Sequence, residues 1–265
     1  MKISRRDARP PVPTYFVLTK RIATIAAAFS CASLLGNLVM SSAIAAPVVR
    51  QNYSVSDFDS VRVEAPIDVV VTTGKGTTAN ATGDRDTLDS LDLQITNHSL
   101  SIRMRSGTTF GGNSGKARAR APTRLILTTN ELRRAAVMGA GSLTVDRLKG
   151  DRIEAIVRGS GVLTIARADG DKADVGLLGA GSMTLGGAAL DVVATVSGSG
   201  RVDASALNAH RLRIDTEGSV DVQAKASEEA IASANGTGRL VVTGSAKCTV
   251  RKVGSASITC GGEVY

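Results

Sequence analysis

The chain has 265 residues, with 32 Lys and Arg against 24 Asp and Glu, 28 Gly, 6 Pro, 3 Cys, 2 His and no Trp. Three Tyr and four Phe are too few for a core centred on bulky rings, so Val, Ile, Leu and Ala have to fill it. Two histidines and three cysteines leave little material for metal or acid–base chemistry, and the length allows one or two domains.

At the amino terminus Lys2, Arg5, Arg6, Arg9, Lys20 and Arg21 stand against Asp7, and residues 22–39 are uncharged and apolar. Ala43-Ile44-Ala45 comes next, where a signal peptidase would read small residues, so residues 1–45 form a secretory signal peptide cleaved after Ala45 or Ala46. Retention as a membrane anchor is the alternative, since about 18 apolar residues can just span a bilayer. Arg5-Arg6 hints at a twin-arginine signal, against which stand Asp7-Ala8 and the distant apolar run. Cys31 lies inside that run and leaves with it. The mature chain, 46–265, is thus expected in the periplasm, the cell envelope or the extracellular space, without a further membrane span. Removing residues 1–45 lowers the formal charge from +8 to about +3, which weakens the case for a nucleic-acid partner. Lys116, Arg118, Arg120 and Arg124 form a local basic cluster without aromatic residues to stack bases, and read as a solvated strand edge.

Residues 53–127 have strand character in an irregular layout. Phe58 to Val63 alternates, Pro66 to Thr73 gives a strand ending at Gly74 and Gly76, and Leu91 to Ile95 is answered across Asn97-His98-Ser99 by Leu100 to Met104 as a hairpin. Residues 108–115 read as a loop and Thr123 to Thr128 as the next strand. This part is expected to start and cap the more regular carboxyl-terminal part.

From residue 138 a unit recurs: MGAGSLTV, RGSGVLTI, LGAGSMTL, SGSGRVDA, TEGSVDV and NGTGRLVV. The first glycines are Gly139, Gly159, Gly179, Gly198 and Gly236, with Glu217 taking that slot in the fifth unit, and the second are Gly141, Gly161, Gly181, Gly200 and Gly238. Steps of 19 or 20 residues mark a repeat architecture. Short strands flank each glycine turn, and those after it alternate apolar and polar, as in Leu163-Thr164-Ile165, which is the period of a strand with one buried face. A unit of about three short strands cannot bury its apolar face alone, but stacked on its own copy it can. The fold class is therefore all-β: a parallel β-helix-like solenoid with coils of about 20 residues, its handedness undecided, and a strand-rich amino-terminal cap. The glycines are read as structural turns, where a side chain would crowd the neighbouring coil, and residues 243–265 as the last coils. Cys248 and Cys260, twelve positions apart in alternating strands, are a candidate disulfide if the chain is exported; otherwise they are two buried small hydrophobes.

Phe58-x-x-Val61, Pro66-x-Asp68-Val69-x-Val71-x-x-Gly74, the Leu100-Ser101-Ile102 strand and the serial Gly-Ser/Ala-Gly coils together resemble the DUF2807 family, the auto-transporter adhesin head GIN domain, from about residue 55 to at least 245. The resemblance implies a secreted or envelope-associated bacterial β-solenoid without assigned catalytic residues. Glu217 departs from the pattern and implies a relaxed corner.

The glycine pairs are not phosphate loops, because the third glycine of G-x-G-x-x-G is missing and no long helix comes after them. Nor do they supply the carboxylate of a calcium-binding G-G-x-G-x-D repeat. Asp203, Asp215 and Asp221 could gather on one face by stacking, and read more simply as solvated polar positions. His98 and His210 lack a zinc-site pattern, and no serine sits in G-x-S-x-G. No catalytic, metal or cofactor-binding residue is assigned, and no cofactor is implied. The function read from the sequence is a noncatalytic surface protein used for adhesion or interaction, its partner an unknown surface protein or polysaccharide, with self-association also open. The alternative is a carbohydrate-active enzyme or polysaccharide-binding module on a β-helix face.

Overall fold

The structure is a computed structural model that describes residues 48–105 and 122–265. The signal segment with Cys31, the loop expected at 108–115, and Lys116, Arg118 and Arg120 lie outside the described residues. Alternation of small and branched side chains gives strands nearly throughout. In chain order they are β1 (Val49–Tyr53), β2 (Ser60–Val63), β3 (Asp68–Thr73), β4 (Thr78–Gly83), a six-residue helix α1 (Arg85–Ser90), β5 (Leu91–Thr96), β6 (Ser99–Met104), β7 (Arg124–Thr129) and β8 (Arg134–Gly139). Five long strands come next: β9 (Ser142–Gly159), β10 (Val162–Gly179), β11 (Ser182–Gly198), β12 (Arg201–Gly218) and β13 (Asp221–Gly236). The chain ends with β14 (Arg239–Thr243), β15 (Lys247–Gly254), β16 (Ser257–Cys260) and β17 (Glu263–Val264). No helix among the described residues is long and apolar enough to cross a membrane.

Each long strand pairs in parallel with the next, almost residue for residue: Leu143 with Leu163, Leu163 with Met183, Met183 with Val202. The β9–β10 ladder skips Ala166 and Asp171, which divides that coil into sides 162–165, 167–170 and 172–179. This is the parallel β-solenoid with coils of about 20 residues that the repeat predicts. Inward positions stack in columns, such as Val157, Leu177, Val196, Thr216 and Ala234, all buried. Burial of each larger aliphatic contributes about 1.5–3 kcal/mol, which replaces the missing aromatic core. Toward the carboxyl end the coils shorten, and in β13 the inward residues after Val222 become Ala224, Ala226, Ala230, Ala232 and Ala234. A tighter coil has less interior, so smaller side chains fill it.

Chain order is not stacking order at the amino-terminal end. β2 and β3 form one coil, lying in parallel between β8–β9 on one side and β6–β7 on the other. The β6–β7 coil is thus inserted between β2–β3 and the cap. The cap is antiparallel: β5 closes β6, β4 closes β7, and β1 adds to β4. Residues 53–127 therefore supply two coils of the stack as well as its cover. Phe58 and Leu88 of α1 are buried at this end, and the Tyr53 hydroxyl donates to the Leu88 carbonyl at 2.9 Å, tying β1 to the helix.

Candidate functional site

The glycine turns form a column that runs along the stack. Gly139, Gly159, Gly179, Gly198, Gly218, Gly236 and Gly254 lie opposite one another and all have positive φ, between +93° and +135°. Gly218, with φ +100°, pairs with Gly198, and Glu217 pairs with Ser197. The placement of Glu217 in the first-glycine slot is therefore corrected: TEGSVDV keeps the first glycine and loses the second, which is the buried Val220. The regular spacing read over 138–242 is corrected with it, since from Gly198 the column steps by 20, 18 and 18 residues to Gly254. The second column, Gly141, Gly161, Gly181, Gly200 and Gly238, is set by close approach. A Cβ on Gly181 would stand 2.6 Å from the Gly161 carbonyl oxygen and 2.8 Å from Val157 Cγ1. Both columns are closely packed, with the backbone of one coil against that of the next.

Cys248 and Cys260 form a disulfide, with Cα atoms 6.1 Å apart. Cys248 follows Ala230 and Cys260 follows Val242 in their inward columns, so the bond crosses the interior of the last coil and covers the end of the core. It joins two sides of one coil, a structural role.

The outward positions carry the charges, and neighbouring coils answer one another. Arg134 lies opposite Glu154 and pairs with it through Nε at 2.5 Å; Arg211 pairs with Asp191, Arg201 with Asp221, Arg152 with Asp174, and Arg147 and Arg167 both with Asp169. Hydrogen bonds from Arg211 hold the Asp191 carboxyl below its usual value, and those from Ser205 do the same for Asp203. At Asp169 partial burial acts upward, but Arg147 and Arg167 outweigh it and the net direction is down. Between these ladders runs a column of Thr144, Thr164 and Thr184, which Asp203 continues.

The remaining polar candidates do not converge. Asp203 and Asp221 lie on the side that follows the glycines, whereas Asp215 lies on the side that precedes them, next to Arg213. His98 sits in the β5–β6 turn with φ +61°, and His210 Nδ1 faces Glu228 Oε1 at 3.1 Å. Among the described residues no group of three or more His, Cys, Asp or Glu could hold a metal ion.

A polar cleft that sequence reasoning did not find opens across successive coils, from Asn97 before β6, past Asp59 and Ser60 at the start of β2, to the arginines of β8 and β9. Its lining includes Asp59, Asn97, Arg133, Arg134, Arg152 and Glu154, and its volume is about 360 Å³. Arg133 Nη1 is 3.9 Å from Asp59. No local motif announces this cleft, because its residues come from four separate stretches of chain.

Comparison with known proteins agrees with this architecture. Residues 57–246 match the family described as "Putative auto-transporter adhesin, head GIN domain" (DUF2807). Among solved structures, a "putative adhesin" from Bacteroides fragilis NCTC 9343 is similar with a TM-score of 0.70 at 20% identity, over 80% of this chain and 96% of that one. A "Putative lipid binding protein" from Parabacteroides distasonis ATCC 8503 gives 0.64 at 18% identity, over 80% and 96% of the two chains. A "putative adhesin" from Parabacteroides merdae ATCC 43184 gives 0.60 at 13% identity, over 80% and 95%. At these identities the likeness is one of fold. Among curated proteins nothing matches.

Proposed function

The chain belongs to the DUF2807 family of auto-transporter adhesin head GIN domains, and from that membership and its outer surface we propose a noncatalytic, exported β-solenoid that binds polymers or proteins of a cell surface. Its support is the contrast between the two sides of each strand. Inward columns are closed by aliphatic packing, while outward columns present arginine, carboxylate and threonine at one residue per coil, a spacing of about 4.8 Å in a sheet. Such a surface offers polar contacts at a regular spacing to an extended partner, so weak single contacts add along its length. Solved proteins of this fold are described as putative adhesins, which agrees with the reading. An enzyme on the same surface has less to build on. A glycoside hydrolase works with a pair of carboxyl groups, and those of the polar cleft, Asp59 and Glu154, are each engaged by an arginine.

The purified chain, fluorescently labelled, would be incubated with intact bacterial cells and with isolated surface polysaccharide. Saturable adsorption that unlabelled protein displaces is expected on at least one of them. Adsorption that is linear in protein concentration on both would overturn the proposal.

A further inference from the structure

The polar cleft interrupts the regularity of the coils and is held by backbone bonds. The His98 carbonyl accepts from Asp59 N at 3.0 Å and Ser60 N at 3.3 Å, which fixes the β5–β6 turn bearing Asn97 against the start of β2. The Asp59 carbonyl accepts from Arg133 N and Arg134 N at 2.8 and 3.2 Å, and Glu154 N donates to the Arg133 carbonyl at 2.9 Å. The next two coils do not repeat this arginine density: the outward column runs from Arg134 and Glu154 to Asp174 and Val193, and arginine returns only in β12, where Arg211 and Arg213 face Asp191 and Asp215.

We propose that this cleft binds the carboxylate and ring hydroxyls of an acidic sugar, a uronic-acid unit of a surface polysaccharide, a reading that rests on the surface-binding role above. Arg134 meets Glu154 through Nε, and Arg152 meets Asp174 through Nε, which leaves the paired Nη donors of both guanidiniums for a ligand. That fork matches a carboxylate in two parallel hydrogen bonds. The carboxylates of Asp59 and Glu154 and the amide of Asn97 add acceptors, which hydroxyl groups can use as donors and a bare anion cannot. A phosphate or a plain carboxylate would meet the two acidic side chains without compensation. A neutral sugar would leave the arginine fork unmet. The volume suits one or two sugar rings within the usual range of about 300–1,000 Å³ for ligand sites.

Calorimetric titration of the purified chain with glucuronic acid, glucose and inorganic phosphate separates these cases, because the first two share a ring and differ in the carboxylate. Saturable binding of glucuronic acid is expected, with glucose and phosphate weaker by roughly tenfold or more. Arg134→Ala and Arg152→Ala should each lower glucuronic-acid affinity by about tenfold with unchanged thermal melting, and Arg152→Lys, which keeps the charge but not the fork, should recover part of it. No saturable heat with glucuronic acid, equal affinity for phosphate, or alanine variants that bind like the parent protein would each overturn the cleft assignment. Cell adsorption measured on the same variants keeps the two proposals apart. Adsorption without glucuronic-acid binding removes the cleft and leaves the surface role. Glucuronic-acid binding without adsorption does the reverse.

Discussion

Gly179 lies so close to the carbonyl oxygen of Gly159, one coil earlier, that a Cβ at Gly179 would stand 2.5 Å from it. Its φ of +126° independently disfavours any side chain. The corner is therefore constrained twice, by the backbone of the same residue and by that of its neighbour in the stack. These constraints can be separated experimentally, because the protein also contains glycines that meet one condition without the other.

Replacing Gly179 by Val should destabilise the protein by about 3 kcal/mol or more, since strained φ and displaced backbone both contribute. Gly74, with φ +79° and nothing within 4 Å of its Cβ position, isolates the first effect, and Gly74→Ala should cost about 1 kcal/mol. Gly181→Ala isolates the second, against the Gly161 carbonyl and Val157. Denaturant midpoints report all three. If Gly179→Val cost no more than Gly74→Ala, contact between coils would not be what selects glycine at the corner.

The Cys248–Cys260 bond closes a short loop at the end of the stack, where no further coil follows among the described residues and only the two-residue β17 adds to β16. Loss of the bond in a Cys248→Ser, Cys260→Ser variant should cost about 3 kcal/mol on the chain-entropy account. In a stack the loss is expected to be local, so amide exchange should speed up in β15 and β16 before it does in β10. The native chain should also be about 2 Da lighter than its reduced form in intact mass. Two thiols open to alkylation in unreduced native protein would remove the cross-link.

Asp169, Asp191 and Asp203 all have carboxyls held below the ordinary value of 3.8 in the folded chain. The unfolded chain therefore takes up protons first as pH falls. The stability these groups contribute is complete above about pH 4 and is lost as pH drops through their folded values. Because they are half-buried surface positions still reached by solvent each contribution is small, and denaturation midpoints should be level from about pH 7 to 5 and decline below about 4. Asp169→Asn combined with Asp191→Asn should flatten that decline. A midpoint that rises on acidification would contradict the assignment.

The coil was legible because its constraint is local and repeated: alternation marks the buried face, and two glycines recur at each corner. The fifth corner misleads for the same reason, since Val220 stands where a second glycine would fix the frame, and TEGSVDV alone aligns equally well one residue out. Stacking order was not legible. Nothing in Leu100-Ser101-Ile102 says that it pairs with Val61 to Val63 on one side and with β5 on the other, because alternation names a buried face but not a partner. The polar cleft inherits that difficulty, as Asn97 reaches the arginines of β8 and β9 only through this inserted coil.

The free side of β15 shows how the open end of the stack is protected. Lys252 follows Val157, Leu177, Val196, Thr216 and Ala234 in an inward column, yet it is exposed, and its Nζ donates to the Tyr265 carbonyl at 2.9 Å. Among the described residues β15 pairs with β13 alone, so its outer row of N–H and C=O groups could template another strand. A charge at an inward position makes a further coil unfavourable, because continuing the column would bury an ammonium group. Replacing Lys252 by Val should remove that barrier and extend the apolar column to the edge. Light scattering over a concentration series should then show a mass that rises more steeply with concentration for Lys252→Val than for the parent chain, while Lys247→Val, at an outward position of the same strand, should change it less. Identical curves for Lys252→Val and the parent would mean that β15 is kept from pairing by something other than this lysine.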